Sequence, residues 1–135
     1  MWEDPSKPPT TSTGTVTNKM IMDGRYQVTD VNGNMMGMPF IGHSMTGYDN
    51  AKKVFVSSWI DNMGTGMMNM EGPWDEATKT INMKGQCINP MTLKPCDYRE
   101  VFKMIDDNNQ MMEMYGPGPD GKEMKTVEIK YTRKK

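Results

Sequence analysis

Hydrophobic and polar residues alternate along most of this chain in short runs. In "EMKTVEIKYTR" (residues 123–133) Val127, Ile129 and Tyr131 share one face, while Thr126, Glu128, Lys130 and Thr132 share the other. That is the period-two pattern of a half-buried strand. In "KKVFVSSWI" Val54, Val56 and Ile60 oppose Phe55 and Trp59, which predicts a strand covered on both sides. Further segments of strand character are "TVTNKMIM", "RYQVTDV", "MMGMPFIGHSMTG", "TGMMNMEG", "TKTINMKGQC", "DYREVFKMID" and "QMMEMY". Asp23-Gly24 and the "NGN" of residues 32–34 separate the early ones, and such pairs tolerate the positive φ of tight hairpin turns. Across residues 98–112 Tyr98, Val101, Phe102, Ile105 and Met112 also fit helical spacing. The interrupting "DDNN" is a poor helix sequence, so a hairpin is the better reading.

The pattern therefore predicts an all-β protein: a single up-and-down antiparallel β-barrel of nine or ten strands over residues 15–135. Closure into a barrel would hide the edges of so long a meander. Residues 1–14, "MWEDPSKPPTTSTG", read as an extended N-terminal arm, because three prolines and a Thr/Ser run disfavour regular structure.

Composition sharpens this picture at one point. The chain holds 18 methionines and a single leucine, Leu93, so methionine is expected to fill the core in leucine's place. A net charge of -1 gives no footprint for nucleic acid, and no apolar run is long enough for a membrane helix.

"WIDNMGTG" (residues 59–66) has the look of a catalytic or phosphate-cradling loop. A phosphate loop needs a strand, a glycine loop, a helix and a lysine; the following segment here reads as a strand and no lysine is present. The stretch is expected to be a strand end, a tight turn and the next strand's start.

In order along the chain come "GMPFIGHSMTGYDN", "FVSSWIDNMGTG", "EGPWDEATKTI", "INPMTLK", "YREVFKMID" and "DGKEMKTVEIKYTRK". This series closely resembles the DUF1579 family, bacterial proteins of uncharacterised function, over roughly residues 20–134. The resemblance implies a lipocalin-like, calycin-type barrel and no established reaction. Family members usually begin with a further Gly-x-Trp strand, so the first strand is expected to be shortened or absent here. A related barrel family binds haem through a histidine near its C-terminal end; this chain has none there, and no cofactor is expected.

Candidate chemistry is sparse. Met20/Met22, Met36/Met38, Met67/Met70 and Met112/Met114 have spacings that thioethers could use for Cu(I), with His43 in reserve. Strand alternation produces the same spacings, so no metal site is expected. His43 is the only histidine, which excludes triads and multi-histidine sites. Cys87 and Cys96 flank an eight-residue loop and would face each other in a hairpin, a pairing that would suit a periplasmic or secreted protein. Asp61, Glu100, Glu113, Glu123 and Glu128 are the acids from which a general acid–base pair could come.

The function that best fits is the binding of a small, largely apolar ligand in the barrel interior. The alternatives are an enzyme using interior carboxylates and a filled structural or assembly module; a non-enzymatic role is favoured and self-association is open. Trp59, Asp61 and Tyr131 are expected to border the cavity, with Arg25, Arg99 or Glu113 as a polar anchor.

Overall fold

The computed structural model describes residues 1–135. It contains ten strands and no helix: β1 (Gly14–Ile21), β2 (Tyr26–Met35), β3 (Met38–Asp49), β4 (Val54–Asp61), β5 (Met68–Gly72), β6 (Trp74–Asp75), β7 (Thr80–Ile88), β8 (Pro95–Met104), β9 (Asn109–Pro117) and β10 (Glu123–Thr132). The strands follow one another across a single antiparallel sheet in the order β1-β2-β3-β4-β5-β7-β8-β9-β10, with the two-residue β6 pairing β7. This is the up-and-down order that the alternation predicts. The 98–112 region is a hairpin, turned by Asp106, whose Oδ1 accepts the Asn108 N–H at 2.8 Å.

The sheet curls into a half-barrel and does not close, because β1 and β10 form no pair. The up-and-down barrel that the alternation predicts is thus present in open form. At the β10 edge the Trp2 N–H donates instead to Thr126 O at 2.8 Å, beside a register shift between Lys125 and Val127. The ladder is shortest between β5 and β7, where only Glu71 and Lys84 pair. A β-carbon on Gly72 would sit 1.6 Å from Asn82 O, and one on Gly85 would sit 2.2 Å from Asn69 O. Glycine at both positions lets the two backbones cross at a distance no side chain would permit.

Register assigns every strand residue to one of two faces. The inner face carries the core: Met70, Ile81 and Met83 are buried, with Phe55, Met68, Trp74, Tyr98, Phe102 and Met114 packed against them. Methionine does fill this core, but only in part. Met20, Met22, Met36, Met38 and Met67 are each more than half exposed, since the open edge strands and turns give them nothing to pack against. The outer side of β4 is likewise uncovered, with Ile60 43% exposed, where a covered strand was expected.

Two turns depart from their sequence signals. "NGN" lies inside β2, whose pairing with β3 runs on to Met35↔Met38. The turn falls at Met36-Gly37, with φ of 50° and 78°, because each added ladder pair outweighs the local preference of Asn-Gly. "WIDNMGTG" is the end of β4, then a six-residue loop (62–67), then β5. Gly64 and Gly66 have no positive φ and nothing within 4 Å of a would-be β-carbon, so no tight turn depends on them. Asn62 anchors this loop: its Oδ1 accepts the Ile41 N–H at 2.9 Å and its Nδ2 donates to Pro39 O at 3.0 Å.

Candidate functional site

The inner face forms a trough whose chemistry differs along its width. Over β1 to β4 it mixes aromatic rings with polar pairs: Asn18 Oδ1 accepts from Thr29 Oγ1 at 2.7 Å, and Thr46 Oγ1 donates to Ser57 Oγ at 3.2 Å. Over β5 to β10 it is methionine and aromatic, and in this half stands Glu100. Glu100 lies opposite Met83 on β7 and Met114 on β9, and its same-face neighbours along β8 are Tyr98 and Phe102. It makes no hydrogen bond or ion pair within the chain. No buried side-chain oxygen lacks a partner, so the Glu100 oxygens are not sealed from solvent. Burial among apolar groups pushes its carboxyl up from 4.5 to about 7, because removing water disfavours the charged form. The Tyr131 hydroxyl, on the same face, is pushed up to about 12, first by burial and then by the Glu100 charge.

The residues expected to line a cavity fall in three places. Trp59 and Asp61 lie on the inner face at one end of β4, where Trp59 Nε1 donates to Asp61 Oδ2 at 2.7 Å and Asp61 Oδ1 accepts the Met63 N–H at 2.9 Å. The Trp59 ring stacks on Phe40 with centroids 6.3 Å apart. Tyr131 is also on the inner face, 6.0 Å from the Phe102 ring, but at the other end. The row Phe55, Gly72, Met83, Glu100, Met114, Val127 marks the middle of the trough, following the register from Phe55↔Gly72 to Val127↔Met114. Asp61 is six residues along β4 from that row, about 20 Å at strand rise. Tyr131 is four residues from it in the opposite sense. One face thus holds all three, but no single pocket brings them together.

Arg99 and Glu113 belong to the outer face and cannot anchor an inner ligand. Arg99 Nη2 donates to Glu123 Oε1 at 2.9 Å and its guanidinium stacks 4.0 Å above the Tyr115 ring. The Tyr115 hydroxyl donates to Glu113. Lys125 Nζ bridges Glu113 at 3.1 Å and Glu128 at 2.8 Å, contacts that raise its own pKa, Glu128 first. The hydrogen bond from Tyr115, followed by that from Lys125, holds the Glu113 carboxyl below its ordinary value. Arg25 sits exposed in the β1–β2 turn, 3.6 Å from Asp23.

Cys87 and Cys96 are direct register partners on β7 and β8. Both are free thiols, with Cys96 Sγ donating to Cys87 O at 3.4 Å. Burial, then the neighbouring Cys96, pushes the Cys87 thiol up. They share the inner face with Tyr98, whose hydroxyl burial also drives upward.

Two grooves open on the outer side. One, of about 530 Å³, is lined by Tyr26, His43, Met45, Val56, Ile60 and Met67 among others; His43 there contacts Asp30 Oδ1 through Nδ1 at 2.7 Å. The other, of about 550 Å³, is polar and includes Lys84, Asp97, Arg99 and Glu123. In the first, Glu71 pairs with Lys52 at 2.9 Å, and in the second Arg99 pairs with Glu123, while Asp97 accepts from Gln86 Nε2 at 2.8 Å and Lys84, which borders both, forms no ion pair. Glu100, half-buried and without a partner, lies on the other face. Acids with perturbed titration cluster at functional sites, and together with the aromatic and methionine lining this makes the inner trough the candidate site.

Sequence reasoning named Glu100 only among the acids. A signal was present: its i±2 neighbours Tyr98 and Phe102 are aromatic, so the three share a face that must turn inward to bury two rings.

No helix of the structure is long and apolar enough to cross a membrane. No curated protein matches the chain. The DUF1579 family profile, described as "Protein of unknown function", matches residues 1–133, and the chain belongs to that family.

Proposed function

We propose that this protein binds a small, largely apolar ligand along the inner face of its half-barrel, centred on the Met83–Glu100–Met114 row. The observation that carries this reading is the row itself, an acid without a partner set between two methionines and flanked by two aromatic rings on the inner face of an open sheet. A closed, folded chain of 15.4 kDa exposes about 7,200 Å² by the size scaling of monomers. This chain exposes 9707 Å², an excess of about 2,500 Å² on that scale, and 8 of its 135 residues are buried. A filled structural barrel would bury far more, which argues against the assembly module. An apolar surface with a few convergent polar groups is what small-molecule sites have in common.

The acid–base enzyme is the weaker reading. Glycosidase-type chemistry places two carboxyls within about 10 Å of each other. The inner-face carboxyls, Asp61 and Glu100, are on β4 and β8, with β5 and β7 between them and about 20 Å of strand offset.

The test is titration with a neutral apolar fluorophore such as N-phenyl-1-naphthylamine. Saturable binding at one site per chain, weakened by Met83→Asp or Met114→Asp but not by Ile60→Asp on the outer face, is expected. Absence of saturable binding, or loss of it only in Ile60→Asp, overturns the inner-face reading.

A further inference from the structure

We propose that the ligand of the inner trough is a hydrophobic amine, its ammonium against the Glu100 carboxylate and its apolar body against Tyr98, Phe102 and the flanking methionines. This rests on the inner-face reading above and adds to it the charge of the ligand.

The first observation is the segregation of charge between the faces. Register places the strand cations Lys19, Lys84, Arg99, Lys103, Lys125 and Lys130 on the outer face. The charged side chains at inner-facing strand positions are Asp61 and Glu100, both acids. An inner ligand therefore meets negative charge and no strand cation, which disfavours carboxylates and phosphates and favours a cation.

The second observation separates the two acids. Asp61 is already occupied by the Trp59 indole N–H and the Met63 backbone N–H. Glu100, on the inner face by register, has no partner in the chain, and its oxygens are not sealed from solvent. An ammonium donates up to three hydrogen bonds and supplies the opposite charge that an ionised Glu100 lacks.

The third is aromatic lining. Tyr98 and Phe102 flank Glu100 on β8, and Tyr131 packs near Phe102. Ring faces attract a desolvated cation as well as its hydrocarbon part, whereas they offer nothing comparable to an anion.

Binding is then linked to protons. Around Glu100 the inward-facing groups are Ile81, Met83 and Gly85 on β7, Met112, Met114 and Gly116 on β9, Tyr98 and Phe102 on β8, and Val127, Ile129 and Tyr131 on β10. The tyrosines stay neutral below about pH 10, so Glu100 alone in this group changes charge between about pH 5 and pH 8. His43, the one histidine of the chain, is on the outer face. An amine that arrives protonated displaces the Glu100 proton to solvent, and its affinity rises with pH across this window.

The experiment compares three isosteric probes on the full chain at about pH 8: 2-naphthylmethylamine, 2-naphthylmethanol and 2-naphthoic acid. The amine should bind about tenfold or more tightly than the alcohol, the increment of one charge-assisted contact, and the acid weakest of all. In Glu100→Gln, which removes the charge and keeps the size, the amine should fall to the level of the alcohol, and the alcohol should be unchanged. In the unaltered protein the preference for amine should shrink toward about pH 5 as Glu100 protonates, a readout that needs no variant. Equal binding of amine and alcohol, or a preference that survives in Glu100→Gln, overturns the amine assignment and leaves apolar binding standing. Failure of all three probes to bind overturns both.

Discussion

The indole of Trp59 lies directly across Gly42: a β-carbon on that glycine would be 2.3 Å from Trp59 Cη2 and 2.4 Å from Cζ2. β3 and β4 are neighbours, and the ring on β4 occupies the space that any side chain at 42 would need. Gly42→Ala should force Trp59 off its stack with Phe40 and destabilise the fold by about 1–3 kcal/mol, the range for overpacking. Thermal denaturation checks the cost, and a red-shifted tryptophan emission checks the displacement. An unchanged melting temperature would mean the ring has room to move.

Glu100 makes stability depend on pH in an unusual direction. Its folded pKa of about 7 lies above the ordinary 4.5, so the folded state holds the proton more tightly than the unfolded one. Its favourable contribution is complete below pH 4.5 and is lost as pH rises through about 7, a loss of about 3 kcal/mol. Glu100→Gln should remove this slope and be more stable than the parent by about 1–3 kcal/mol at about pH 8. Chemical denaturation at pH steps across the window measures it; parallel curves for the two proteins would refute the burial argument.

Cys87 and Cys96 face each other across β7 and β8, a placement that suits a cross-strand disulfide under oxidising conditions. Oxidation should proceed without rearrangement of the sheet, remove both free thiols and stabilise the hairpin by about 2–3 kcal/mol, as expected for a short enclosed loop. The raised Cys87 thiol should make the reaction slow at neutral pH and faster in alkali, because the thiolate is the nucleophile. Thiol titration and intact mass after incubation with a glutathione redox buffer read the outcome; persistent thiols would remove the reason to place the protein in an oxidising compartment.

Lys125 joins the outer-face network, held between Glu113 and Glu128 and 5.8 Å from the Trp2 ring. Lys125→Met should remove the cation between the two carboxylates, leaving Glu128 only the longer contact with Lys130 at 3.8 Å and Glu113 the Tyr115 hydroxyl, and cost about 1 kcal/mol at low salt. The gap should narrow at high salt, since partly exposed pairs are screened. Denaturation at two ionic strengths tests this, and a salt-independent loss would assign the effect to packing of the lysine stem on Trp2.

Alternation and turn chemistry by themselves determined the strand count, the order of the meander and the hairpin across 98–112. They also showed which residues of one strand share a face, so that Trp59 goes with Asp61 and Glu100 with Tyr98 and Phe102. These are local properties of a backbone with a two-residue repeat, and they survive any tertiary arrangement. Register between strands is not local. Whether Asp61 and Glu100 meet depends on how β4, β5, β7 and β8 slide past one another, and the ladder pairs place them about 20 Å apart along the trough. Which face turns inward was equally a matter for the whole sheet: Arg99 and Glu100 are adjacent and opposed, and only the joint burial of Met70, Ile81 and Met83 sends Glu100 in and Arg99 out. The same holds for closure, because the close crossing at Gly72 and Gly85 and the docking of Trp2 on Thr126 set how far the edges travel, and neither leaves a mark in the hydrophobic pattern.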